Sequence, residues 1–218
     1  MSLMSTLRAA GAVEKSMPAA MVDLSFALEG DSLPHHYPFA LEAALLEALP
    51  WLAEEENFGV HPIRGPVTDF GLMLPRRAKL VLRLPAERVE AALALSGRSL
   101  AIGPESVRLG AAKPRPIEPF ATLRAWNVAT SAGDEQGFVE AVSFQLEVLG
   151  VKARLICDRP EILGDGVREI RGFGLVLHDL SPAHSLLVQA RGLGPERRLG
   201  CGVFVHHKII EGLGADPD

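Results

Sequence analysis

The chain has 218 residues, 48% of them hydrophobic, enough for one large domain or two small ones around a real core. A formal net charge of −5 argues against a generic nucleic-acid coat protein, yet a local basic groove remains possible because a field depends on where charges sit. No apolar run reaches about 18 residues, which excludes a membrane-spanning helix and leaves no reason to expect a membrane partner.

Residues 1–19 lack a basic stretch followed by an apolar one and read as a flexible tail without a signal peptide. Val22, Leu24, Phe26 and Leu28 alternate with Asp23, Ser25 and Glu29, the pattern of a half-buried strand. Apolar residues at helical spacing predict a helix over Pro38–Leu52, so Pro34-His35-His36-Tyr37 sits at a helix start. Phe58–Val67 is expected to be extended, confined to an edge by Pro62, Gly65 and Pro66. Leu80, Leu82 and Leu84 alternate with Lys79, Val81 and Arg83, a strand with one basic face. A helix is predicted over Ala86–Ser96 and a short strand near Ser106–Leu109. Residues 113–121 contain Lys113-Pro114-Arg115-Pro116-Ile117-Glu118-Pro119, a semi-extended proline-rich linker.

The order then repeats. Thr122–Thr130 is a strand, and Asp134 caps a helix to Leu149. Strands follow at Lys152–Cys157 and Glu169–His178, a helix at Ser181–Arg191 and a last strand at Leu199–Lys208. Two β-α-β-β-α-β units predict an α+β protein with two tandem ferredoxin-like domains, over 20–112 and 122–218. Cys157 and Cys201 have no metal-site spacing and read as buried thiols in a reducing, cytoplasmic compartment.

Between the last helix and strand, Gly192 and Gly194 face Gly200 and Gly202 across a segment that carries Arg197 and Arg198. Helix–loop–strand is the wrong order for a Walker loop or a dinucleotide fingerprint. Glycines let backbone N–H groups approach anionic oxygens, and arginines suit phosphate, so one reading is a phosphodiester site. The other is a tight helix-to-strand connection with solvated arginines. Arg76, Arg77 and Lys79 form a second basic cluster. Strand alternation puts His206 and Lys208 on one face with Phe204, where an open face would let both contact RNA; adjacent His206 and His207 point apart and do not make a metal pair.

With the double ferredoxin order and the loop in place, the chain resembles the CRISPR repeat-processing endoribonucleases of the RAMP superfamily, in their MYXAN subtype. The matching stretches are Gly192-Leu193-Gly194 with Gly200-Cys201-Gly202, Gly59-Val60-His61-Pro62-Ile63-Arg64-Gly65, Leu74-Pro75-Arg76-Arg77 and Leu177-His178-Asp179-Leu180-Ser181-Pro182. The resemblance implies binding of a CRISPR repeat RNA hairpin and one cut at its base, without metal or cofactor. A 2′-hydroxyl attacks the adjacent phosphate, leaving a 2′,3′-cyclic phosphate. Other subunits of a CRISPR effector complex are implied as possible partners. The family's catalytic histidine lies in a Leu-Pro-x-Asp-His-Gly-Tyr-like stretch. Here, aligned without gaps, Tyr37 occupies that histidine's place, His36 the acidic one and Pro38 the glycine's; a slip of one residue at the helix start brings His36 into the histidine's place, so His36 is the catalytic candidate, with Tyr37 or His35 assisting. Two alternatives stay open: a subunit that holds the RNA hairpin without cutting it, and a scaffold protein without an RNA hairpin of its own.

Overall fold

The structure is a computed structural model, which describes residues 20–207. The expected tail over 1–19 and the candidate Lys208 lie outside the described residues. The first half comprises β1 (Met21–Glu29), β2 (Ser32–Leu33), α1 (Tyr37–Ala48), β3 (Gly59–Val60), β4 (Val67–Thr68), β5 (Gly71–Met73), β6 (Lys79–Pro85), α2 (Val89–Ala92), β7 (Ser99–Ile102) and β8 (Glu105–Pro116). The second comprises β9 (Leu123–Ala129), α3 (Glu135–Val148), β10 (Arg154–Gly164), β11 (Glu169–His178), α4 (Pro182–Arg191) and β12 (Val205–His206).

Two antiparallel sheets result, in the orders β3-β6-β1-β8-β7 and β10-β11-β9-β12. Each sets the first and third strands of a βαββαβ unit side by side, flanked by the fourth and second, the ferredoxin-like arrangement; β7 adds an edge. Leu24, Phe26, Leu80, Leu82 and Leu84 bury the inner face of the first sheet. Leu123, Ala125, Leu175 and Leu177 do the same in the second, against Phe138, Val142 and Val188 from α3 and α4. Local chemistry starts these helices: the Asp134 carboxylate accepts from the Gly137 N–H at 2.8 Å, and the Ser181 hydroxyl accepts from His184 N–H ahead of Pro182.

Several elements differ from expectation. The first helix stops at Ala48 because Leu49 precedes Pro50 and leaves the helical region, at φ −136° and ψ 77°. Ala86–Leu95 is broken into 3-10, α and 3-10 turns instead of one helix. Of the extended Phe58–Val67 stretch, Gly59–Val60 pairs with β6 and Val67 begins the β4–β5 hairpin; Pro62 and Pro66 have no N–H for a ladder. Strand β7 and the small β2-β5-β4 sheet had no expectation behind them.

Lys113–Pro116 is not a connection but the end of β8, paired with Val22, Asp23, Leu24 and Ser25 of β1. Its prolines are tolerated there because β7 covers only Glu105–Arg108, leaving the far side an edge. The last strand is also shorter than Leu199–Lys208. Arg197–Leu199 form a 3-10 turn, and Gly200 and Gly202 have φ of +91° and +62°, conformations a strand cannot contain.

Candidate nucleic-acid interface

The outer faces of the two sheets enclose a cleft of about 1190 Å³. Period-two alternation aims its residues. Asp23 and Ser25 project from β1, Lys79, Val81 and Arg83 from β6, Lys113 and Arg115 from β8, and Arg124 and Trp126 from β9. Seven lysines and arginines line the cleft against two carboxylates, inside a chain that is acidic overall. A concave basic surface of this kind concentrates a polyanion locally. Aromatic faces lie among the cations: the Arg64 guanidinium stands 4.0 Å above the Trp126 ring, and Phe120 and His206 stack at 4.0 Å with an 8° interplanar angle.

Arg83 forms the floor and joins the halves. Its Nε and Nη2 donate to the two Asp23 oxygens at 2.7 and 2.9 Å, while Nη1 donates to Phe204 O at 2.5 Å and Gln189 O at 3.4 Å. Burial pushes the Asp23 carboxyl upward, but hydrogen bonds from His61 and Arg83 outweigh it and hold the group well below the usual carboxylate range. His61 Nε2 approaches the same carboxylate at 3.2 Å. Burial nonetheless holds the His61 pKa below its ordinary value, aided by Arg83 and Arg64, so the contact is a hydrogen bond from a neutral imidazole near pH 7 and not an ion pair.

The glycine loop is not an anion cradle. All four of its glycine N–H groups donate internally: Gly192 to Val188 O, Gly194 to Gln145 Oε1, Gly200 to Arg197 O and Gly202 to Asn127 O. The glycines are required by close packing, since a Cβ at Gly202 would stand 2.0 Å from Leu193 O. Arg197 is 9% exposed and donates Nη1 to Ala190 O at 2.9 Å, in the last turn of α4; it is a packing residue and not a phosphate contact. Burial lowers its pKa to about 10, so it remains protonated at neutral pH. Arg198 is half-buried and donates to Ala53 O at 3.0 Å, docking the loop on the first half. The tight-connection reading therefore describes the loop, with its arginines turned inward.

Of the other expected contacts, Arg77, Lys79 and His206 line the cleft; Arg76 is exposed outside its lining. Phe204 precedes β12 and is buried in the second core, whereas His206 is exposed, so the strand alternation expected to put them on one face does not hold. Arg64, Arg115, Arg124, Trp126 and Phe120 were missed. The alternation Leu123-Arg124-Ala125-Trp126 on β9 carried that signal for two of them.

The histidine pair lies at the start of α1, outside the cleft lining. His36 is exposed at the N-cap without a side-chain capping bond, its Nε2 beside Gly103 in the β7–β8 turn. The exposed His35 ring bonds through Nε2 to Asp69 O at 3.2 Å; a carbonyl only accepts, so Nε2 carries a proton. Tyr37 is engaged otherwise. Its hydroxyl accepts from Ile63 N–H at 2.9 Å and faces Ile63 O at 3.4 Å, and burial pushes its pKa up to about 12. It is a positioning residue between α1 and the segment after β3, and a poor proton acceptor. Across from α1, the β10–β11 hairpin tip brings Arg168 to within 3.2 Å of Glu42 and 4.7 Å above the Phe39 ring, one turn from His36. Burial raises the Cys157 and Cys201 thiols to about 11 and 12, so neither is a ready nucleophile. Among the described residues no group of three or more His, Cys, Asp and Glu could hold a metal ion.

Residues 22–209 match the family described as Cas6 Crispr. The chain is 38% identical over 185 residues to the CRISPR-associated endonuclease Cas6 of Myxococcus xanthus, covering 84% of this chain and 80% of that one. Similar solved structures include a CRISPR associated protein Cas6, at TM-score 0.60 and 12% identity over 87% of this chain and 99% of that one. Another is a Cas6-related protein from Pyrococcus furiosus, at TM-score 0.57 and 15% identity over 88% and 98%. Profile and identity, carried on two ferredoxin-like sheets around a basic cleft, place this chain in the Cas6 family.

Proposed function

We propose that this protein is a CRISPR RNA-processing endoribonuclease that binds the repeat hairpin and cuts it once at the base without a metal ion. The observation that carries the reading is the basic, aromatic-lined cleft in a chain 38% identical to a Cas6 endonuclease, with two exposed histidines, His35 and His36, at the start of α1. His36 acts as the general base on the 2′-hydroxyl. The oxygen freed of its proton attacks the adjacent phosphorus, the P–O5′ bond breaks, and a proton passes to the departing 5′-oxygen from His35 or solvent. Products carry a 2′,3′-cyclic phosphate and a 5′-hydroxyl. Charge developing on the phosphorane calls for a cation; Arg168, paired with Glu42 of α1 in this structure, is the candidate once that pair opens. Arg64, Arg115 and Arg124 hold the flanking strand in the cleft, with Trp126, Phe120 and His206 as stacking faces. The chain is a candidate to keep its product within a CRISPR effector complex in the cytoplasm. We propose two units: the first reaches from residue 20 to the end of β8 at Pro116, four residues beyond the expected 112, and the second covers 122–218.

One observation favours a second reading: Tyr37 stands where the family's histidine is expected, and its hydroxyl is closed on Ile63. That would leave a subunit that holds the hairpin uncut. Incubation of the protein with its repeat RNA in EDTA separates the two. A single cut leaving a 2′,3′-cyclic phosphate supports the nuclease; tight binding with intact RNA establishes the clamp.

A further inference from the structure

Phe70 occupies the tip of the β4–β5 hairpin with 91% of its surface exposed. Of the described phenylalanines, tryptophans and tyrosine, only Phe70 and Phe144 are exposed, and Phe144 lies away on α3. Single exposed apolar side chains are common and by themselves mean little. The setting of Phe70 is different, because its hairpin and the histidine segment are built as one piece. Leu33, directly before Pro34-His35-His36, pairs with Leu72 of β5. A Cβ on Gly71 would stand 2.1 Å from Leu33 O, so the hairpin is pressed against the entry to α1. His35 Nε2–H donates to Asp69 O, the residue before Phe70.

The tip is also stiff. The Thr68 hydroxyl accepts from Phe70 N–H at 3.3 Å and donates to Gly71 O at 3.1 Å. An aromatic residue whose backbone is fixed by its own turn, its ring open to solvent and the preceding residue bonded to a candidate catalytic histidine, has the properties of a stacking platform. The turn leaves only the two side-chain torsions of Phe70 to be ordered when a flat partner lands on it.

We propose that Phe70 stacks on an unpaired nucleobase flanking the scissile phosphate and so sets which phosphate reaches the histidines. The partner is an unpaired base because a base within the stem presents no free face to a ring. The inference rests on the reading that His35 and His36 cut repeat RNA, and it deepens that reading by adding a specificity residue. Val67, on the same hairpin, is also exposed.

The test uses the full-length protein and repeat RNAs made uncleavable by a 2′-deoxy substitution at the cut, each with 2-aminopurine at one single-stranded position beside the stem. Wild type is expected to quench the probe at a position adjoining the cut. Phe70→Ala abolishes that quench, Phe70→Trp keeps it, and Phe144→Ala leaves it unchanged. With cleavable RNA, Phe70→Ala raises KM on the order of tenfold, the scale of one lost base–aromatic stack, and tryptophan restores it. Quenching that persists in Phe70→Ala overturns the proposal, as does its absence from every flanking position in wild type. So does a wild-type dimer that Phe70→Ala dissolves while the RNA signals stay the same, since Phe70 then covers a second copy. Because the quench needs no chemistry, wild type that quenches but never cuts supports the stacking while refuting the catalytic reading beneath it.

Discussion

Arg83→Met tests whether the cleft floor holds the two halves together. The guanidinium is 1% exposed and serves four acceptors: both Asp23 oxygens and the carbonyls of Phe204 and Gln189. Methionine keeps the volume and removes the charge, so Asp23 loses its main partner and two carbonyls lose a donor. Breaking one side of a buried ion pair costs about 3–5 kcal/mol. Asp23 keeps 24% of its side-chain surface and retains His61 as a neighbour, which places the loss near the lower end, about 3 kcal/mol. At a urea slope of about 2 kcal/mol/M, the denaturation midpoint falls by about 1.5 M. The double variant Asp23→Asn, Arg83→Met removes the stranded charge and recovers part of that loss. A midpoint shift below about 0.5 M for the single variant would refute the clamp.

Acid weakens the same floor. The His61 pKa is depressed in the fold, so its contribution is complete above its unfolded value of about 6.5 and is lost as pH falls below it; Asp23, also depressed, adds a further loss below about 3.9. Urea midpoints at pH 7.5 and 5.5 are expected to show lower stability at 5.5, with a smaller difference in His61→Gln; stability that rises toward pH 5.5 contradicts the assignment. Tyr37→Phe strands the Ile63 N–H and costs about 1–2 kcal/mol, with cleavage held within about threefold of wild type. A hundredfold slower rate at full stability would return Tyr37 to the chemistry. Gly202→Ala forces a side chain onto Leu193 O at φ +62° and costs about 2 kcal/mol or more, seen as a fall of about 4–8 °C in Tm. Gly133→Ala, at a site with nothing within 4 Å, serves as the unaffected control.

What the sequence made legible follows from how local each signal is. Strands β1, β6, β9 and β11 announce themselves by alternation, and α3 and α4 by Asp134 and Ser181-Pro182, so the double ferredoxin order follows from short-range pattern alone. The last strand of each unit was harder to bound, because β12 is limited by glycine conformations and β8 is extended by pairing with β1, which no local window contains. Arg197 was misjudged for the same reason. Beside glycines a charge reads as solvent-facing, yet the C-terminal carbonyls of α4 and the approach of β3 give this one a place inside. The cleft needed both sheets: Arg64 becomes part of a surface only when Trp126, 62 positions later, lies beneath it. The start of α1 was legible as a helix entry, but the closure of Tyr37 on Ile63 depends on a segment that returns across it.

The most direct test of the account is the single-turnover cleavage rate of His36→Ala on the repeat RNA in EDTA, measured beside its RNA affinity. Removal of the general base predicts a fall of about a hundredfold or more in rate, with affinity within about threefold of wild type. An undiminished rate, with the same cut and the same cyclic phosphate, would contradict the assignment of His36 and move the chemistry to another residue.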